Sequence, residues 1–228
     1  MLYNLPMNTL EQILSSISKF YSLCLEHNAT LVLATKTIPV ETLRDVCAAS
    51  SIPLVFGENK VQELKDKYFE ANNLSWHFIG RLQTNKVKYL IGKVSMIQSV
   101  DSLRLLEEIS ARSKKKGVTT DILMEVNFGE EESKGGVKAQ EALSFATQCM
   151  QTENVRLRGI MSVLPVSGDL PALMEQAKEL SNTLVATYGK ERNILSVGMS
   201  EDYAMALENG SNMIRIGSAI FGTRSYQV

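Results

Sequence analysis

The chain has 228 residues, of which 44% are hydrophobic, 7% aromatic and 21% charged, a composition that excludes a disordered, collagenous or coiled-coil protein and leaves enough chain to bury a sizeable core. Lys and Arg total 24 against 25 Asp and Glu, a net charge of -1, so there is no global basic field for nucleic-acid binding and only a local basic patch stays open. Cys24, Cys47 and Cys149 lie far apart with no CxxC pair, which excludes a disulfide framework and a structural zinc site and fits a reducing compartment.

The first residues show no basic region leading into an apolar one, and nowhere do about 18 apolar residues follow one another. Neither a signal peptide nor a membrane span is expected, and the expected location is the cytoplasm. From Thr9 onward, Leu10, Ile13, Leu14, Ile17, Phe20, Tyr21 and Cys24 recur at helical spacing, and Thr9 with Gln12 has the pattern of a capping box. An amphipathic helix therefore opens the chain.

After it, short apolar runs rich in β-branched residues alternate with longer amphipathic segments, the mark of β-α units in a parallel sheet. The runs fall at 31–35, 53–56, 76–79, 95–98, 122–126, 157–163, 194–197 and 213–216. Between them, Pro39 suits the first turn of a helix through Leu43 and Val46. Asp101 suits the cap of a helix carrying Leu103, Leu105, Leu106 and Ile109 that stops at Gly117. Lys114, Lys115 and Lys116 at its end read as a solvated terminus complementing the helix dipole.

Eight units in one uninterrupted pattern predict an α/β fold, a single closed (β/α)8 barrel of the TIM type. The expected organisation is one domain over 1–228, with 1–28 an additional N-terminal helix packed on a barrel formed by 29–228. None of the 14 glycines makes a GxGxxG fingerprint, and GEEESKGG at 129–136 lacks the order of a P-loop, so dinucleotide-binding and nucleotide-hydrolase readings lose their support.

In a parallel barrel the chemistry sits just after each strand. The first strand runs into Thr35-Lys36-Thr37, the second into Gly57-Glu58-Asn59, the third into Gly80-Arg81, the fifth into Asn127, the seventh into Gly198-Met199-Ser200 and the eighth into Arg215-Ile216-Gly217-Ser218. Lys36, delivered to the mouth by an apolar strand, is a candidate Schiff-base amine, because loss of water favours the neutral, nucleophilic form. Barrels often bind phosphate in the loops after strands seven and eight, and here both are small-residue turns with a hydroxyl, Ser200 being read as opening a helix. His77 faces the opposite side of its strand from Trp76 and Phe78 and is read as a core histidine. With two histidines and scattered cysteines no His/Cys metal site is expected, and the ten methionines read as core filler.

An amine on strand one, a phosphate cradle at strands seven and eight and an arginine on strand eight together suit pyridoxal phosphate. A guanidinium stays protonated and keeps a nearby pyridine nitrogen unprotonated, a weaker electron sink that disfavours transamination and leaves racemisation or simple carriage open. The amine and the phosphate loops alone would also suit a cofactor-free Schiff-base aldolase acting on a sugar phosphate.

The motifs resemble the YggS/PROSC family of pyridoxal phosphate homeostasis proteins, whose fold is similar to the barrel domain of bacterial alanine racemase. The resemblance runs through Ala34-Thr35-Lys36-Thr37, FGENKVQE at 56–63, WHFIGRLQTNK at 76–86, EESKGG at 131–136, SVGMSEDY at 196–203 and NMIRIGSAIFGTR at 212–224. It implies that Lys36 forms the internal aldimine with pyridoxal 5'-phosphate and that Ser200, Gly217 and Ser218 hold the phosphate. It further implies that Arg215 faces the pyridine nitrogen and that Asn59 and Met199 lie beside the cofactor. Where the family more often carries a second lysine, this chain has Ile38.

The resemblance implies a carrier that maintains vitamin B6 and amino and keto acid homeostasis without robust catalysis. The alternative is a pyridoxal-phosphate-dependent amino-acid racemase. The racemase that the fold resembles has a further β-rich domain supplying a second base, a tyrosine, across a dimer interface, and this chain ends at Val228, soon after the last motif, so the carrier is expected. Tyr203 and Tyr226 are not placed well enough to nominate. The expected partners are the cofactor and, transiently, apo enzymes that use it, with no nucleic acid or membrane, and the expected state is a monomer.

Overall fold

The computed structural model describes residues 8–131, 134–165 and 167–222. Helix α1 (Leu10–Glu26) leads into β1 (Thr30–Ala34), α2 (Val40–Ala49), β2 (Leu54–Glu58), α3 (Val61–Lys67) and β3 (Leu74–Phe78). A 3-10 turn at Thr84–Tyr89 stands in for a helix before β4 (Met96–Val100), which α4 (Leu103–Lys116) and β5 (Thr120–Asn127) follow. Then come a two-residue strand β6 (Val137–Lys138), α5 (Ala142–Gln151), β7 (Val155–Met161), α6 (Leu170–Tyr188), β8 (Ile194–Ser196), α7 (Tyr203–Glu208), β9 (Met213–Ile216) and α8 (Ser218–Phe221).

All pairings are parallel, in the order β4-β3-β2-β1-β9-β8-β7-β5, and β4 also pairs with β5, which closes eight strands into the expected barrel. β6 is an addition, paired among the described residues with the end of β5. Alternation along each strand sorts side chains into two layers. Leu31, Leu33, Phe56, Trp76 and Phe78 face outward into the main core against the helices, while Val32, Ile79, Met96, Leu123, Met161 and Met213 fill the interior. Lys36 lies two and four residues beyond Ala34 and Val32, in phase with the interior, whereas Thr35 is in phase with the outer layer.

The N-terminal helix begins as expected, with Thr9 and Gln12 closing a capping box. It buries Ile13, Ile17, Phe20 and Cys24 and packs between α2 and α8, the side of the barrel where α8, at four residues, is too short to cover the strands. Three local expectations change. Pro39 is the N-cap of α2 rather than a member of its first turn. Ser102, not Asp101, is the N-cap of α4, and its hydroxyl donates to Asp101 Oδ1 at 3.2 Å. Ser200 opens no helix, because α7 starts three residues later, and the turn between them is closed by Asp202 and Tyr203 N–H groups on the Met199 carbonyl.

Candidate functional site

Lys36, Asn59, Met199, Ser200, Arg215, Gly217 and Ser218 all line one cavity of about 580 Å³ at the carboxyl ends of the strands. That volume lies within the range of small-molecule and cofactor pockets. The remaining lining combines apolar groups from Ala34, Ile79, Val163, Leu164, Pro165 and Leu170 with the carboxylates of Glu201 and Asp202. Neither group is among the site residues expected from the sequence. The rule that site residues follow strands applies equally to β7, and the segment directly after it supplies Val163, Leu164 and Pro165.

Strand phase carries Lys36 into the half-buried mouth. The phosphate-type loops are tied together: Arg215 N–H donates to the Gly198 carbonyl at 2.9 Å, and Ser200 Oγ accepts from Ala219 N–H at 3.5 Å. Asp202 Oδ1 accepts from Met199 N–H at 2.6 Å, so this carboxylate shapes the turn it borders. Freed from a capping role, the Ser200 hydroxyl points across the loops toward the start of α8.

Arg215 is buried at 5% exposure on β9. Its Nη1 donates to the Ser196 carbonyl and hydroxyl, both at 2.7 Å, and its Nη2 to the Ser162 carbonyl at 2.8 Å, so the ends of β7 and β8 fix the guanidinium plane. Burial lowers its pKa to about 10, against the pull of Asp202 and Glu125, which leaves it protonated at neutral pH. Glu125 on β5 faces the same interior, where burial and the neighbouring Asp101 carboxylate raise its pKa to about 7 against the pull of Arg215 and Arg81.

His77 is a satisfied interior residue, as its place on the strand predicts: it is 6% exposed, and burial lowers its pKa to about 4. Arg81 and Asn127 stand outside the cavity lining, Asn127 holding the following loop by donating to the Glu131 carbonyl at 2.9 Å. Ile38 is buried in the outer core. Glu132 and Ser133 of the EESKGG block, and the stretch from Thr223 that includes Arg224 and Tyr226, lie outside the described residues. Among the described residues no group of three or more His, Cys, Asp or Glu could hold a metal ion, and no helix is long and apolar enough to cross a membrane.

An amine, two hydroxyls and a fixed guanidinium at separate points of one cavity match the aldehyde, phosphate and ring nitrogen of pyridoxal phosphate, and the apolar wall of Ile79, Val163 and Leu164 suits a flat ring. The residues present fit that cofactor.

The model of the alanine racemase N-terminal domain family matches residues 27–225. A pyridoxal phosphate homeostasis protein from Aquifex aeolicus is 40% identical over 208 residues, 88% of this chain and 90% of that one. One from Pasteurella multocida is 35% identical over 210 residues. The solved structure of PipY from Synechococcus elongatus with pyridoxal phosphate bound superposes with a TM-score of 0.78 at 27% identity, covering 92% of this chain and all of that one. An alanine racemase from Clostridium difficile shares the fold, with a TM-score of 0.75 at 16% identity, and this chain covers 61% of it.

Proposed function

The chain belongs to the YggS/PROSC family of pyridoxal phosphate homeostasis proteins, built on the alanine racemase N-terminal domain fold, and from that premise we propose that it holds pyridoxal 5'-phosphate covalently on Lys36 and carries it without robust catalysis. The observation that supports this most is the convergence of all seven candidate residues, from the ends of β1, β2, β8 and β9, on one cavity. Lys36 Nζ would link to the aldehyde carbon with loss of one water, Ser200, Gly217 and Ser218 would hold the phosphate, Arg215 would face the ring nitrogen, and Asn59 and Met199 would flank the ring.

The bound cofactor supplies an electrophilic imine carbon, and the chain's own residues limit the chemistry open to it. Arg215, held by three hydrogen bonds to Ser162 and Ser196, cannot give up a proton readily and so withholds one from the ring. Of the two carboxylates that line the cavity, Glu201 and Asp202, the latter is committed to the Met199 N–H. Carriage is therefore favoured over racemisation. In this reading one domain acts as a monomer in the cytoplasm, buffering vitamin B6 and, through it, amino and keto acid levels, with transient contact to apo enzymes.

Purified protein loaded with the cofactor should absorb in the visible range, and borohydride should fix the cofactor to the Lys36 peptide in wild type but not in Lys36→Ala. An unmodified Lys36 peptide after reduction would overturn the assignment. Incubation with alanine or serine should yield no racemised product above the level of free cofactor, and sustained stereospecific turnover would favour the racemase.

A further inference from the structure

Behind Lys36, on the outer face of the barrel, lies a buried polar network that cofactor binding does not use. Lys67, the last residue of α3, is 8% exposed, and its three ammonium hydrogens have three acceptors: the Thr35 carbonyl at 2.9 Å, Glu58 Oε1 at 2.8 Å and Glu63 Oε2 at 2.8 Å. Glu58 Oε1 also accepts from the Thr35 hydroxyl at 2.7 Å, and Glu63 Oε2 from the Thr37 N–H at 2.7 Å. Thr35 is therefore held by Lys67 and Glu58 and Thr37 by Glu63, and Lys67 ties the two carboxylates together. Thr37 has φ 65, a left-handed conformation that costs a β-branched residue free energy and persists only where its surroundings enforce it.

The network is also expensive. Glu58 is fully buried, and its second oxygen, Oε2, has no hydrogen-bond partner. Burial pushes its pKa up, opposed by Lys67 and the Thr35 hydroxyl, whereas for Glu63 the Lys67 and Thr37 hydrogen bonds outweigh burial and hold its pKa below the usual value. A buried ion pair is weak support for stability by itself, since apolar residues of similar volume often serve as well. Its geometry here does something apolar packing cannot do, which is to fix the backbone on both sides of one lysine.

We propose that Lys67, locked by Glu58 and Glu63, is the positioning residue of Lys36: it fixes Thr35 and Thr37 so that the Lys36 amine is presented to the cavity before the cofactor arrives. This rests on the reading of Lys36 as the linking amine. None of Thr35, Thr37, Glu58, Glu63 and Lys67 lines the cavity, so the network's effect falls on the rate of bond formation, because an attacking group held in a near-attack geometry gains what a mobile one must spend.

The test uses two ligands. Mixing with pyridoxal 5'-phosphate reads the rate of C=N formation from the visible absorption. Titration with pyridoxamine 5'-phosphate, which has an amine in place of the aldehyde and cannot link to lysine, reads the phosphate and ring contacts alone. Glu63→Ala should slow linkage by about tenfold or more while leaving pyridoxamine phosphate affinity within about twofold. Glu63→Gln, which keeps an acceptor for the Thr37 N–H, should recover most of the rate. Hydrogen exchange at the Thr37 amide should accelerate in Glu63→Ala with no ligand present. Because Lys67→Met alone leaves a buried carboxylate unpaired and invites unfolding, the double variant Glu58→Gln/Lys67→Met serves as the second arm, with the same slow linkage expected. Unchanged linkage in folded Glu63→Ala and in the double variant, or a parallel loss of both ligands, would overturn the positioning role. Failure of the wild type to link at Lys36 would instead sink the functional reading on which it rests.

Discussion

One nitrogen of Arg215, Nη1, donates to both the carbonyl and the hydroxyl oxygen of Ser196, each at 2.7 Å. Because that hydroxyl accepts from Arg215, its own proton goes to Gln98 Oε1 at 2.8 Å, which turns Gln98 Nε2 toward His77 Nδ1 at 2.9 Å. Two side chains thus link the arginine on β9 to a histidine on β3. With the Gln98 amide nitrogen donating, the expected tautomer of His77 accepts at Nδ1 and carries its proton on Nε2. Nitrogen NMR of the ring should show this one neutral tautomer down to about pH 5.5, and Ser196→Ala should mix the tautomers. A cationic ring at that pH in the wild type would contradict the relay.

The same histidine makes the fold acid-sensitive. Its pKa is lowered to about 4 by burial, so between the unfolded value of about 6.5 and that point the unfolded chain binds the proton and the native one does not. Stability is therefore lost as pH falls through this window, by up to about 3 kcal/mol. Glu125 acts in the opposite sense: raised to about 7, it retains its proton in the native state where the unfolded chain has released it, so its contribution is lost as pH rises from about 4.5 to 7. Urea unfolding across this range should show His77→Gln flattening the acid limb and Glu125→Gln flattening the neutral one.

Gly80 lets two strand ends pass at close range. A Cβ there would lie 2.1 Å from the Asn59 carbonyl oxygen and 2.6 Å from its Cα, contacts that only a backbone shift can relieve. Since Asn59 lines the cavity, Gly80→Ala should weaken cofactor binding more than it lowers the melting temperature. Spectroscopic titration beside a thermal melt separates the two, and unchanged affinity would show that Asn59 can move without consequence.

If Ser200 and Ser218 take the phosphate as proposed, removing either hydroxyl should cost one charge-assisted hydrogen bond. Ser200→Ala and Ser218→Ala are expected to weaken binding of pyridoxal 5'-phosphate by roughly tenfold while leaving the affinity for phosphate-free pyridoxal unchanged. Equal losses for both ligands would place the hydroxyls elsewhere.

Gly159 sits where the register between β5 and β7 shifts, with φ 147, and a Cβ on it would lie 2.0 Å from the Ile194 carbonyl oxygen. Gly159→Ala should destabilise the barrel by more than about 2 kcal/mol, measured as a lower urea midpoint, because both the backbone conformation and the β7 to β8 spacing oppose it.

Much of this protein is legible in one dimension. The apolar strand at 31–35 already delivers Lys36 to the mouth of the barrel, and Gly198, Ser200, Gly217 and Ser218 already mark loops that border the cavity. Even the opening helix announces its first residue through Thr9 and Gln12. What alternation cannot give is a partner. Lys67 meets Thr35 across 32 residues, Ser196 meets Gln98 across 98, and Ser200 turns out to address Ala219 instead of capping a helix. Those meetings depend on the register of each strand against its neighbour and on the closure of β4 onto β5, which no single segment encodes. The sequence therefore determined the fold and seven residues of the cavity lining, but neither its apolar wall nor its carboxylates. Tertiary structure alone decided which charges hold Lys36 in place, because the pairing of β1 with β2 and the packing of α3 behind them are what bring those charges within hydrogen-bonding distance.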